Sequence, residues 1–112
     1  MHEALEVELL HLHEEVLTGL ADPRRLRILV ALGSRPMSAQ ELALELRLDG
    51  PSVARHVKVM RERGLVLASA FRGETRYEVS DERLLEAIDL LRGVLRDWTY
   101  RRTEKALALV GH

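Results

Sequence analysis

Apolar positions change their period along this chain. Leu5, Leu9, Leu12 and Val16 recur at steps of four, three and four with acids between them, the heptad spacing of a helix. That helix is expected over residues 3–18. Val7, Leu10 and Leu17 widen its apolar face beyond one seam, so it needs more than one neighbour. Gly19 is placed at its end. Asp22-Pro23 then opens a second helix, an N-cap followed by proline at the first position. Its buried side is expected at Leu26, Leu29, Val30 and Ala31, and Arg24, Arg25 and Arg27 are left outside. Gly33 closes it, and Arg35-Pro36 leads onward.

Residues 38–64 read as two helices with a tight turn between them. Ser38 caps the first, and Glu41 stands three residues on, the spacing of a capping box. Leu42 and Leu46, one turn apart, supply a buried stripe beside the small Ala43. The turn is Arg47-Leu48-Asp49-Gly50, where Asp49 or Gly50 can serve as N-cap and Pro51 fits the first helical turn. The second helix buries Val53, Val57 and Met60. Ser52, Arg55 and His56 are placed on the opposite side, flanked by Lys58 and Arg63. Gly64 ends the helix in the left-handed position that glycine takes without a Cβ penalty.

After Gly64 the period falls to two. Leu65 to Phe71 is β-prone, Thr75 to Val79 alternates polar and apolar, and Arg72-Gly73-Glu74 is a glycine turn, which predicts a β-hairpin. Ser80 is read as the cap of a last helix ending near Leu109. Leu84, Ile88, Leu91, Leu95 and Trp98 form its heptad seam, weakened at Gly93 and broken at Arg101 and Arg102. So long a helix exceeds what a small core can cover. Both terminal helices are therefore expected to pack against their copies in a second chain. The competing reading is packing within one chain.

The chain has 112 residues, a length suited to one domain, and no cysteine, so neither disulfides nor thiolate metal sites can form within it. No apolar run approaches the ~20 residues of a membrane span. The acidic N-terminus lacks the features of a secretory signal. The cytoplasm is the expected location, with no membrane partner. The net charge of −1 hides an uneven distribution. Residues 1–22 hold six acids and no Lys or Arg, whereas residues 51–76 carry a local excess of four positive charges.

A capped helix, a turn and a second helix with polar donors outward make a helix-turn-helix, whose second helix enters the major groove of double-stranded DNA. The residues so placed are Pro51, Ser52, Arg55 and His56, and Arg55 has the fork that matches a guanine edge. A hairpin directly after such a helix is a wing, with Arg72 and Arg76 carried toward the sugar-phosphate backbone. Arg24, Arg25 and Arg27 stay in water or reach a phosphate. The bland alternatives are a solvated amphipathic face and an ordinary surface hairpin. No nucleophile–base pairing, phosphate loop or carboxylate pair suggests catalysis, so no catalytic residue and no cofactor are assigned. The rival function is a winged helix that docks protein and has no DNA target. That use favours exposed Leu, Phe or Trp anchors, which the second helix lacks.

From Leu20 to Val79 the sequence resembles the ArsR-type winged helix-turn-helix regulators. The matching stretches are LADPRRLRIL at 20–29, ELALEL at 41–46, PSVARHVKVMRERGLV at 51–66 and RGETRYEV at 72–79. The resemblance implies a homodimeric transcription regulator, usually a repressor, on a pseudo-palindromic operator. The expected fold is mostly α with a small β-hairpin, ordered α-α-α-α-β-β-α. Its parts are an N-terminal dimerisation helix at 1–19, a helix-turn-helix at 38–64, a wing at 65–79 and a C-terminal dimerisation helix at 81–109. The expected DNA-binding set is Ser38, Gln40, Pro51, Ser52, Arg55, His56, Lys58, Arg72, Thr75 and Arg76. The expected dimer interface is Leu5, Leu9, Leu12, Val16, Leu84, Ile88, Leu91, Leu95 and Trp98.

Departures from the pattern are Arg47 where glycine is frequent, Gly50 where a polar side chain is common, and Glu74 where a base is frequent. Neither metal site of the family is complete. The thiolate position holds Ala43 and Leu44, and the last helix has Asp81 and Asp97 but Arg83 and Val94 in place of histidines. No metal is expected, apart from the option of a site shared between chains at His11 or His13, and the effector is left open.

Overall fold

The computed structural model describes residues 2–110, and side chains through residue 105, so His112 lies outside the described residues. It contains two units, residues 1–82 and 83–112.

The first helix, α1, covers residues 2–20: α-helical at His2–His11, π-helical at Leu12–Leu17, then a last α-turn at Thr18–Leu20. Two side-chain donors enter its carbonyl ladder at the wide part, as such insertions do. The Thr18 hydroxyl donates to His13 O at 2.7 Å, and Arg63 Nη1 donates to Glu14 O. The wider turn rotates Val16 out of line with Leu5, Leu9 and Leu12, which are exposed whereas Val16 is half-buried. Gly19 does not end the helix, which runs on to Leu20. Glycine is needed there for close approach. A Cβ at Gly19 would lie 2.6 Å from Leu65 Cδ1 and 2.9 Å from Arg63 Cδ.

Asp22 caps α2 (Pro23–Leu32), its carboxylate accepting from Arg24 N at 2.8 Å. The buried side is Ile28, Leu29 and Leu32, not the expected Leu26 and Val30, which are exposed; Ala31 is half-buried. The helix carries two overlapping apolar stripes that share Leu29. The one containing Ile28 and Leu32 is the one buried in the core.

Ser38 and Glu41 form the expected capping box on α3 (Ala39–Leu46). Ser38 Oγ accepts from Glu41 N at 3.1 Å, and Ser38 N donates to Glu41 Oε1 at 3.3 Å. Arg47 ends α3 in the left-handed region at φ 57° and ψ 47°. That conformation costs a non-glycine residue about 1–2 kcal/mol. Asp49 is the N-cap of α4 (Gly50–Glu62), accepting from Ser52 N at 2.9 Å. Val53, Val57 and Met60 are buried as expected.

The hairpin pairs β1 (Val66–Phe71) with β2 (Glu74–Val79) in antiparallel register, Phe71 opposite Glu74. Its loop is two residues, Arg72 and Gly73, both at positive φ (51° and 76°), as the twist of a two-residue hairpin requires. A short bridge absent from the sequence reading locks the hairpin to the chain before α3. Met37 N donates to Tyr77 O at 3.1 Å, and Tyr77 N donates to Met37 O at 2.8 Å.

In the second unit, α5 (Arg83–Val110) is one helix of 28 residues, about 42 Å long. It starts at Arg83, so Ser80 is not its cap. Ser80 N instead donates to Leu65 O at 3.0 Å. Along the seam Leu84 is half-buried and Ile88 buried, whereas Leu91, Leu95 and Trp98 are exposed. No helix among the described residues is long and apolar enough to cross a membrane.

Candidate nucleic-acid interface

The free face of α4 differs from the expected one. Pro51, Ala54, Arg55 and Lys58 are exposed and recur at three to four residues, so they form one stripe. The neighbouring stripe of Ser52, His56, Val59 and Arg63 turns toward the protein. Ser52 is 5% exposed, and the other three are half-buried. Ser52 is thus buried and His56 half-buried, both beside the exposed stripe and not at its centre, and Val59 lies with them.

Each flanking polar group has a partner. The Ser52 backbone and side chain both hydrogen-bond the Asp49 carboxylate, and the side-chain bond is the main reason its pKa lies below the ordinary value. Ser52 Oγ also accepts from Arg55 Nη2 at 3.1 Å. A chain of contacts thus runs from the helix cap to the exposed guanidinium. Arg25 Nη1 lies 3.3 Å from His56 Nδ1, within hydrogen-bond distance.

The arginines of α2 are not simply solvated. Arg25 Nε donates to Gly19 O at 2.6 Å and Arg25 Nη2 to Thr18 O at 3.3 Å. Arg27 Nη2 donates to Leu46 O at 2.5 Å. Both guanidinia satisfy carbonyls at helix C-termini, where the last turn leaves acceptors unpaired and the helix dipole favours a cation. The sequence reading missed these roles, since Thr18, Gly19 and Leu46 offer only backbone oxygens as signal. Arg25 and Arg63 together tie α1 to α2 and α4.

On α3, Gln40 is exposed, but Ser38 is 3% exposed with its hydroxyl used by the cap. Ser38 is thus buried, and its hydroxyl serves the α3 cap. In the wing, Arg72 and Thr75 are exposed. Arg76 is not free. Its Nη2 lies 3.7 Å from Glu41 Oε1, its Nε 3.8 Å from Glu74 Oε2, and its guanidinium 4.4 Å from the centre of the Phe71 ring. Arg72 stands over the same ring at 5.3 Å. Glu41 also accepts from Arg35 Nη1 at 2.7 Å. That bond, first, and the Ser38 N–H, second, hold its carboxyl below the usual range. Among the described residues no three His, Asp or Glu side chains form a group able to hold a metal ion.

The helix-turn-helix domain family matches residues 20–67. The HTH-type transcriptional regulator CmtR of Mycobacterium bovis is 39% identical over 70 residues, 62% of this chain and 59% of that protein. The chain thus aligns with less than two thirds of that relative's length. The solution structure of the cadmium metal-sensor CMTR from Mycobacterium tuberculosis superposes with a TM-score of 0.61 at 36% identity, covering 70% of this chain and 81% of that one. A homodimeric winged helix-turn-helix DNA-binding domain from Mycobacterium bovis, Mb0332, described as a possible ArsR-family transcriptional regulator, gives a TM-score of 0.75 at 21% identity. It covers 86% of this chain and 89% of that one. With the capped helix pair, the two-residue wing and these relatives in hand, the chain belongs to the ArsR-type winged helix-turn-helix family.

Proposed function

We propose that the protein is a sequence-specific, double-stranded DNA-binding transcription regulator that acts as a homodimer, most simply as a repressor. One observation carries this reading: α4 is anchored by its Ser52, His56 and Arg63 side and leaves Pro51, Ala54, Arg55 and Lys58 uncovered. That stripe combines two small residues, Pro51 and Ala54, with two cations, as suits a major-groove reader. It lacks the large apolar anchors of a protein-docking helix. Exposed Arg72 lies at the wing tip, suited to a phosphate. The exposed leucines of α1 and α5 are surfaces for a second copy, and the homodimeric relative supports that assembly.

A two-fold dimer presents two α4 helices, so the operator is expected to be an imperfect palindrome with half-site centres about 10 bp apart or a multiple of it. Selection of duplexes from a randomised pool by the purified protein, followed by sequencing, tests this. Recovery of a palindromic motif supports the reading. If no duplex is retained at low salt, the protein-docking alternative replaces it.

A further inference from the structure

We propose that Glu41 is a positioning residue for DNA binding: its carboxylate holds the wing's Arg76 away from the nucleic-acid backbone. This rests on the DNA-binding reading above and adds a division of labour within the wing. Arg76 sits on β2 beside Tyr77, whose backbone is paired with Met37, so that part of the strand is fixed to the residue preceding Ser38 and the α3 cap. Glu41 faces it from the first turn of α3 and is itself fixed twice, by Arg35 at 2.7 Å and by the Ser38 N–H at 3.3 Å.

The Arg76 guanidinium is therefore surrounded by protein anions and a ring: Glu41, Glu74 and Phe71. Its side chain is only 31% exposed, and its buried Nε has no hydrogen-bond partner. At 3.7 and 3.8 Å these ion pairs are too long to be strong bonds. Their effect on stability is small, as for most exposed pairs. Their effect on binding is of another kind. A phosphate attracts Arg76 only in competition with two carboxylates already beside it, and those carboxylates repel the phosphate. Arg72, two residues from the nearest of these carboxylates and exposed at the turn, has no ion pair of this kind among the described residues. The wing thus offers one exposed arginine for a phosphate and one restrained arginine.

Neutralising Glu41 should convert the restraint into a clamp. Glu41→Gln keeps an N3 side chain able to complete the capping box, so α3 is preserved. Each additional bond to a phosphate steepens log K against log salt by about one unit, hence about two for a dimer. A backbone contact carries no sequence information, so affinity for scrambled and for selected duplex should rise by about the same factor, with their ratio unchanged. The experiment is fluorescence anisotropy on both duplexes across salt, with circular dichroism melts as a folding control. Arg76→Gln should leave the wild-type slope unchanged, and the double variant should cancel the steepening. If Glu41→Gln leaves the salt slope and both affinities unchanged while wild type binds DNA, Glu41 is only a cap and the proposal falls alone. It falls in the same way if Arg76→Gln by itself lowers the slope. If wild type binds neither duplex, the DNA-binding reading falls and takes this proposal with it.

Discussion

Arg55 Nη2 donates to Ser52 Oγ at 3.1 Å, joining an exposed guanidinium to a side chain that is 5% exposed. Ser52 is fixed in turn by the Asp49 carboxylate that caps the helix. An arginine whose guanidinium is already held by one hydrogen bond loses less freedom on meeting a base edge than a free one. Arg55→Ala is expected to cost ~1–3 kcal/mol of operator affinity and to relax preference at one position per half-site. Ser52→Ala keeps the guanidinium but frees it, so it should lose part of that discrimination with the salt slope intact. Anisotropy on operator and scrambled duplexes reads both effects. An unchanged operator-to-scrambled ratio in Arg55→Ala would remove it as the reader.

Gly19 bears on stability rather than recognition. Its α-carbon faces Leu65, which is 2% exposed and has no room to retreat, and Arg63, whose displacement would break its bond to Glu14 O. Gly19→Val should therefore destabilise by about 1–3 kcal/mol, as overpacking does. Urea denaturation measures it. A midpoint equal to wild type would mean that the contact between α1 and residues 63–65 yields freely.

These two sites show what the sequence could and could not disclose. Caps were legible because they are local: Asp22, Ser38 with Glu41, and Asp49 act on N–H groups two or three residues away. The stripe of Val53, Val57 and Met60 was legible from its period. What failed was long-range. Gly19 looked like a terminator because its neighbour Leu65 is 46 positions distant in sequence. Arg25 and Arg76 looked like surface charges because a carbonyl or a carboxylate brought near by folding leaves no mark on the local pattern. Ser52 was put on the wrong side because it sits at the boundary between two stripes of α4, and a turn of 3.6 residues does not say which stripe the neighbours cover.

The caps also predict acid sensitivity. Asp22 is held below its ordinary value of 3.8 chiefly by the Arg24 N–H, Asp49 below 3.8 chiefly by the Ser52 side chain, and Glu41 below 4.5 chiefly by Arg35. A carboxyl with a depressed folded-state pKa stabilises the fold fully above its unfolded value. That contribution is lost as pH falls through the folded value. Thermal stability should thus be insensitive to these three groups above about pH 5 and decline below it. Because the groups are solvent-accessible, each effect is small. Asp49→Asn preserves a good capping acceptor, so its melts should show a shallower acid limb. An unchanged limb would show that Asp49 does not contribute.

Metals are expected to be silent. Ala43 and Leu44 cannot ligate, and Arg83 and Val94 replace the imidazoles that the second family site would need. Zinc, cadmium or arsenite at stoichiometric levels should leave the protein on its operator, unlike what a metal sensor would do. Isothermal titration calorimetry alongside anisotropy tests this. Tight binding of one ion per dimer with loss of DNA affinity would contradict it and would point to His11 or His13, both exposed on α1.

Assembly is the remaining test, and α5 supplies it. Leu91, Leu95 and Trp98 are 66, 60 and 51% exposed and share one helical seam. Burying a leucine fully is worth about 1.5–3 kcal/mol relative to leaving it in water, so a run of such residues favours a second copy. Leu5, Leu9 and Leu12 present the same problem on α1, exposed by 51, 51 and 43%. Leu91→Glu with Leu95→Glu should turn a dimer into monomer, since each new carboxylate would be buried without a partner. Leu90, 73% exposed but about 100° around the helix from Leu91, is the control. Leu90→Glu should remain dimeric. Sedimentation at micromolar protein separates the outcomes: a monomeric wild type rejects the dimer. Equal disruption by Leu90→Glu rejects the seam and would place the interface on a broader face of α5.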